Sequence, residues 1–261
     1  MKSKMLLCGA AIAGAVCLGT PAAFGSACIG TCGSLGADGV VTLSPTGNST
    51  YGYISTYQGS TGAGEISGVG GTDGSQFTTD LFAAKAGDPL TFYFNYVTSD
   101  GTSKYTDYAW AELVDSSNNH VAWLFTARTQ PVGDTSPGFG LPTNDSTLTP
   151  ASTPIIPPGP AWSPLGTSSG ACYEGPGQGC GYTDWIESTY TIAAAGDYMV
   201  RYGVTNIGDD EYDSGLAFDG LAVAGVPVGN GPGVPEPSTW ALLLAGLGTL
   251  LFGIRRRRSA S

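Results

Sequence analysis

Five carboxylates crowd one stretch of this 261-residue chain: Asp209, Asp210, Glu211 and Asp213, followed by Asp219. A hard cation such as calcium takes about six to eight oxygens, and a loop this acidic can supply several of them along with backbone carbonyls. The stretch lacks the glycine and the terminal glutamate of an EF-hand loop, so a solvated acidic turn between strands is the competing reading. Calcium is the one cofactor these residues admit, and the sequence implies no other. A second pattern is aromatic. Tyr51, Tyr53 and Tyr57 are separated by even numbers of residues, which on a strand puts all three on one face, where their rings can stack on sugar rings. Trp110, Trp123, Trp162 and Trp185 add aromatic surface. The alternative is that these rings fill or cover a core, above all Trp110 and Trp123, which lie inside apolar runs.

Catalytic chemistry is scarce. His120 is the only histidine and follows a polar turn, so a Ser/His/Asp site has one possible base and no motif around it. There is no phosphate-binding loop and no dinucleotide fingerprint despite 41 glycines. Paired carboxylates for glycoside hydrolysis stay open, because two acids of a β fold can meet from anywhere in the chain. The expectation is a protein that is not an enzyme.

Cys8 and Cys17 lie in an N-terminal apolar segment, which leaves Cys28, Cys32, Cys172 and Cys180. An even count in an exported chain points to disulfides. Three pairings are possible, and short loops favour Cys28 with Cys32 and Cys172 with Cys180. A zinc site is a weak rival, since neither pair has metal-finger spacing and His120 is far away.

The elements that must position these residues read as β. Aromatic and β-branched runs alternate with turn residues about every ten positions, and no stretch between the termini has helical periodicity. Candidate strands are 40–43, 51–57, 76–83, 90–97, 108–114, 121–128, 182–191, 197–205 and 216–223. The polar run from Asp115 to Asn119 makes 108–128 the clearest hairpin. Ala-Gly-Asp occurs at Ala86-Gly87-Asp88 and at Ala195-Gly196-Asp197, each time ahead of an aromatic-rich strand.

Ten of the 17 prolines lie between Pro131 and Pro176. That density excludes central strands and regular helix, so 131–181 should be a long loop. Phe139, Leu141, Ile155, Ile156, Trp162 and Leu165 are poor choices for a solvated linker and are expected to pack on the sandwich.

Both ends carry membrane-directed signals. Lys2 and Lys4, an apolar run and the small-residue region around Ala23, Gly25 and Ala27 form a secretory signal peptide over 1–27. Cleavage after Ala27 is the chosen site, with Ala23 and Gly25 as alternatives; Gly25 stands where a lipoprotein signal normally has leucine. At the other end Val234, Pro235, Glu236, Pro237 and Ser238 precede a 16-residue apolar run, 239–254, and then Arg255, Arg256, Arg257 and Arg258. At ~1.5 Å per residue that run makes a helix of ~24 Å, a marginal transmembrane span that the arginines would hold from the cytoplasmic side. Pro235 and Pro237 keep the preceding peptide extended and open to a protease.

The Val-Pro-Glu-Pro-Ser box, the Leu/Gly-rich helix and the Arg cluster resemble a PEP-CTERM sorting signal over 231–261. That resemblance implies an exosortase-type membrane protease as partner, transient membrane insertion, cutting near the Pro-Glu-Pro box, and delivery to the cell surface or extracellular matrix. The turn-then-strand segments, with Asp213 to Val223 as a closing strand, resemble jelly-roll sandwiches related to galactose-binding and carbohydrate-binding modules, a likeness of fold that transfers no activity.

Removal of 1–27 and of everything from Thr239 onward leaves Lys85, Lys104, Arg128 and Arg201 against all 21 acids, a formal charge of −17. A surface this acidic should not bind nucleic acid or anionic lipid. The expected architecture is all-β: a jelly-roll-like sandwich ectodomain over 28–230 with a long Pro-rich loop, plus a C-terminal single transmembrane helix. The expected role is that of an exported, non-catalytic surface or matrix protein; the alternative is a carbohydrate-binding module that contacts exopolysaccharide.

Overall fold

The computed structural model describes residues 26–102, 104–129, 133–175 and 179–229. Its strands, in chain order, are β1 (Ala27–Ile29), β2 (Thr31–Leu35), β3 (Tyr51–Ser55), β4 (Ser60–Thr61), β5 (Asp73–Thr78), β6 (Phe82–Ala84), β7 (Pro89–Thr98) and β8 (Tyr108–Asp115). They continue with β9 (His120–Arg128), β10 (Thr147–Thr149), β11 (Gly181–Tyr182), β12 (Ile186–Thr191), β13 (Gly196–Thr205), β14 (Ser214–Val223) and β15 (Val226–Pro227). All pairings are antiparallel and form two sheets, in the orders β1-β5-β13-β8-β9 and β10-β12-β7-β14-β3-β2, with the remaining short strands attached at the sides.

Alternating side chains from the two inner faces build the core, as a sandwich requires. Phe92 and Phe94 of β7 and Leu216 and Phe218 of β14 face Phe77, Val200, Tyr202 and Phe125 of the other sheet. Phe94 stacks on Phe125 at 3.8 Å between ring centroids, and Tyr202 on Phe218 at 4.2 Å. Full burial of each such ring stabilises the fold by about 1.5–3 kcal/mol.

Most expected strands are present, and the differences have local causes. The run expected at 76–83 is two strands, because Thr79 bonds both ways with Val200 and turns the chain before β6 resumes pairing with β13. The run at 182–191 breaks at Asp184, whose φ of 59° interrupts the pairing with β7. Residues 40–43 form no strand beyond a single bridge at Val41, since the Val40 N–H is taken by the Ala161 carbonyl. Strands β1, β2, β4, β10 and β15 lie outside the expected runs. The 108–128 hairpin holds, and its turn is tied by Asp115 Oδ1, which accepts the N–H groups of Ser117 and Asn119.

The two Ala-Gly-Asp turns meet. Gly87 donates to the Ile192 carbonyl at 2.8 Å and Ile192 to the Asp88 carbonyl at 2.9 Å. Both turns carry the chain from one sheet to the other, β6 to β7 and β12 to β13.

The Pro-rich loop has two jobs. It covers the outer face of the second sheet, where Trp162 and Leu165 are buried against Val41, Tyr51, Val97 and Ala217. It also satisfies the free edge of β9: Asp145 N–H bonds the Trp123 carbonyl, Asn144 Oδ1 accepts Thr126 N–H, and Gly138 N–H reaches the Thr126 carbonyl. An edge closed in this way cannot recruit another strand. Of the loop side chains expected to pack, Trp162, Leu165 and Leu141 do so, whereas Phe139 is 67 % exposed and Ile156 lies at the surface.

Candidate functional site

The five acids do not converge. Asp209, Asp210 and Glu211 lie in the turn between β13 and β14, and Asp213 is buried behind them, accepting Thr56 Oγ1–H at 3.0 Å and Ser168 Oγ–H at 2.8 Å. Asp219 is six residues further along an extended strand, a separation of about 20 Å. There it accepts Thr46 Oγ1–H at 2.7 Å and Asn48 Nδ2–H at 2.9 Å, and closes on its neighbour Gly220 N–H at 2.7 Å. Grouping Asp219 with the turn is therefore corrected by strand geometry. Among the described residues no cluster of three or more His, Cys, Asp or Glu is arranged to hold a metal ion.

The tyrosine stripe has the expected alternation and an unexpected cover. Tyr51 is 1 % exposed, and its hydroxyl accepts Trp162 Nε1–H at 3.0 Å. Its ring meets Trp185 edge-on at 5.6 Å, and burial pushes the phenol up to about 12. Tyr53 is half-buried against the Trp162 ring, 5.9 Å between centroids. Tyr57 lies past the end of β3, flat against Gly166, where a Cβ would come within 2.4 Å of its ring. A shared sugar-stacking face for Tyr51 and Tyr53 is thus corrected: the Pro-rich loop occupies it. Trp110 is buried on the opposite outer face, and Trp123 is half-buried beside it.

His120 places Nδ1 2.7 Å from Glu112 Oε2, and Arg201 Nη1 is 2.9 Å from Oε1 of the same, mostly buried carboxylate. Its ring lies 4.7 Å from Trp123. Glu112 thus ties His120 and Arg201 together at the surface. Both disulfides pair across the short loops, Cys28 with Cys32 and Cys172 with Cys180.

Acids that the sequence did not single out lie with the β13–β14 turn. Asp107 is fully buried, with Oδ2 2.7 Å from Ser214 Oγ and Oδ1 accepting Ile207 N–H at 2.9 Å, and burial drives its carboxyl far above the ordinary range. Burial pushes Asp100 up to about 7. Asp73 and Asp209 are raised as well, first by desolvation and then by neighbouring carboxylates. These groups, together with Asp210 and Asp213, make one pole of the sandwich strongly acidic.

The two ends of the described chain lie partway along the sandwich, where Thr78 also pairs with Arg201 in the middle of β13. Ala27 pairs with Thr78, and Gly229 lines a cavity with Thr79. That cavity lies between the sheets over Phe77, Tyr202 and Phe218 and measures about 180 Å³. Small-molecule pockets run from about 300 Å³ upward, so it has room for solvent but not for a ligand of that class.

Residues 233–258 match the family model for the PEP-CTERM protein-sorting motif. This chain carries a PEP-CTERM sorting signal. The motif supports an exported protein, processed by an exosortase at the membrane and directed to the cell surface. Val234 to Ser238, the span 239–254 and Arg255 to Arg258 lie outside the described residues, as does most of 1–27. Among the described residues no helix is long and apolar enough to cross a membrane. No curated protein and no solved structure matches the chain. In sequence the PEP-CTERM signal follows Gly229 by only a few residues.

Proposed function

We propose that this is a non-catalytic display protein of the cell surface or extracellular matrix, whose sandwich is carried outward by exosortase sorting. The observation that supports it best is the placement of the sorting signal. It begins at residue 233, shortly after β15 and the last described residue of the sandwich, Gly229. Both disulfides suit an oxidising exterior, and the edge-closing loop keeps β9 from pairing with another chain at high local concentration.

The intact mass of protein recovered from the cell exterior tests this reading. The expected species lacks the signal peptide and everything from the apolar run onward, and carries four oxidised cysteines. Retention of Arg255 to Arg258 in that species would replace sorting with an ordinary single-span anchor.

A further inference from the structure

Three tyrosines far apart in sequence form a row at the acidic pole. Tyr105 meets Tyr173 edge-on at 5.3 Å, and Tyr173 meets Tyr212 at 5.1 Å. All three are half-buried rather than sealed in a core. Tyr173 is held from behind by its N–H bond to the Ser99 carbonyl and by the Cys172–Cys180 bridge beside it. Tyr212 has a φ of 56°, a left-handed conformation that a bulky residue adopts only under constraint, and such strain gathers at binding sites. Tyr212 also lines a depression of about 500 Å³, together with Tyr57, Asp73, Asp210 and Glu211. That volume falls within the range of small-molecule sites.

We infer that this pole binds an uncharged glycan, with a sugar in the depression that Tyr57 and Tyr212 line and the chain continuing over Tyr173. Aromatic rings offer apolar faces to sugar C–H groups, and the carboxylates beside them accept sugar hydroxyls. The charge selects among glycans. With Asp73, Asp209, Asp210 and Glu211 around the site, a uronic-acid or sulfated polymer would be repelled. The one lysine at the row, Lys104, already rests 4.3 Å over the Tyr105 ring. A peptide partner would require a strand edge to extend or an apolar groove to fill, whereas this depression is lined by hydroxyls, carboxylates and two rings. Sorting proceeds whether or not the pole binds sugar, so failure here leaves the display reading intact.

Calorimetric titration of the exported protein with a panel of soluble uncharged glucans, mannans and galactans, and with a polyuronate of similar length, tests the site. At least one uncharged polymer is expected to bind and the polyuronate is not. Tyr212→Gly relieves the left-handed strain and should keep or raise the melting temperature while weakening the glycan by about tenfold. Tyr173→Leu, which keeps apolar bulk, should weaken it similarly. Asp210→Lys with Glu211→Lys should begin to admit the polyuronate. Failure of the whole panel, binding of the polyuronate by the unaltered protein, or unchanged affinity in a folded Tyr212→Gly protein would each overturn the proposal.

Discussion

Trp162 donates a 3.0 Å hydrogen bond through Nε1 to the Tyr51 hydroxyl, and each residue is only 1 % exposed. The contact joins the Pro-rich loop to β3 across 111 residues and turns an outward-facing tyrosine into the floor of a second core.

Trp162→Ala should therefore destabilise the protein by about 3–5 kcal/mol, in the range for truncating a buried aromatic. Tyr51→Phe removes one hydrogen bond and leaves the indole N–H without a partner, for a loss of about 1–3 kcal/mol. Urea unfolding followed by tryptophan fluorescence measures both, and equal small losses would mean that the loop is not docked.

Stability should fall as pH rises through neutrality. Asp100 has its folded-state value pushed up from 3.8 to about 7, and Asp107 is also raised well above the ordinary carboxylate range, both mainly by burial. The folded state thus binds more protons than the unfolded state above pH ~4, so the stabilisation is complete below that point and is lost as pH rises through about 7 and beyond. Melting is expected at a higher temperature at pH 5 than at pH 8. Asp100→Asn, which imitates the neutral acid, should shrink that difference; a profile that instead rises steadily from pH 5 to 8 contradicts it.

Replacing Cys172 and Cys180 together by serine opens a loop whose ends are eight residues apart. Chain-entropy arguments put the loss at about 2.5 kcal/mol. The near-ultraviolet circular dichroism should also weaken, since Tyr173 loses the bridge that holds its ring between Tyr105 and Tyr212.

Chelation should leave the melting temperature unchanged. Asp219 is saturated by Thr46, Asn48 and Gly220, and Asp213 is occupied by Thr56 and Ser168. A drop of several degrees with EDTA, restored by calcium, would show that Asp209, Asp210 and Glu211 recruit a cation by other means.

Local patterns determined much of this protein. Aromatic and β-branched runs bounded by turn residues identified β3, β7, β8, β9, β13 and β14, because such residues favour strands and the turns mark where each one ends. Short loop spacing pointed to both disulfides, and the Pro-Glu-Pro box with its apolar run and arginines was readable because it acts as a linear peptide. Three features rested on contacts between distant residues and were decided only by the tertiary structure. Tyr51 and Tyr53 alternate as expected, yet which side faces solvent depended on where Trp162, more than a hundred residues later, came to rest. Asp219 is near Asp213 in sequence and far in space because an extended strand separates them. Tyr105, Tyr173 and Tyr212 share no spacing that a linear reading can use; they become one surface only when three loops close over the same end of two packed sheets.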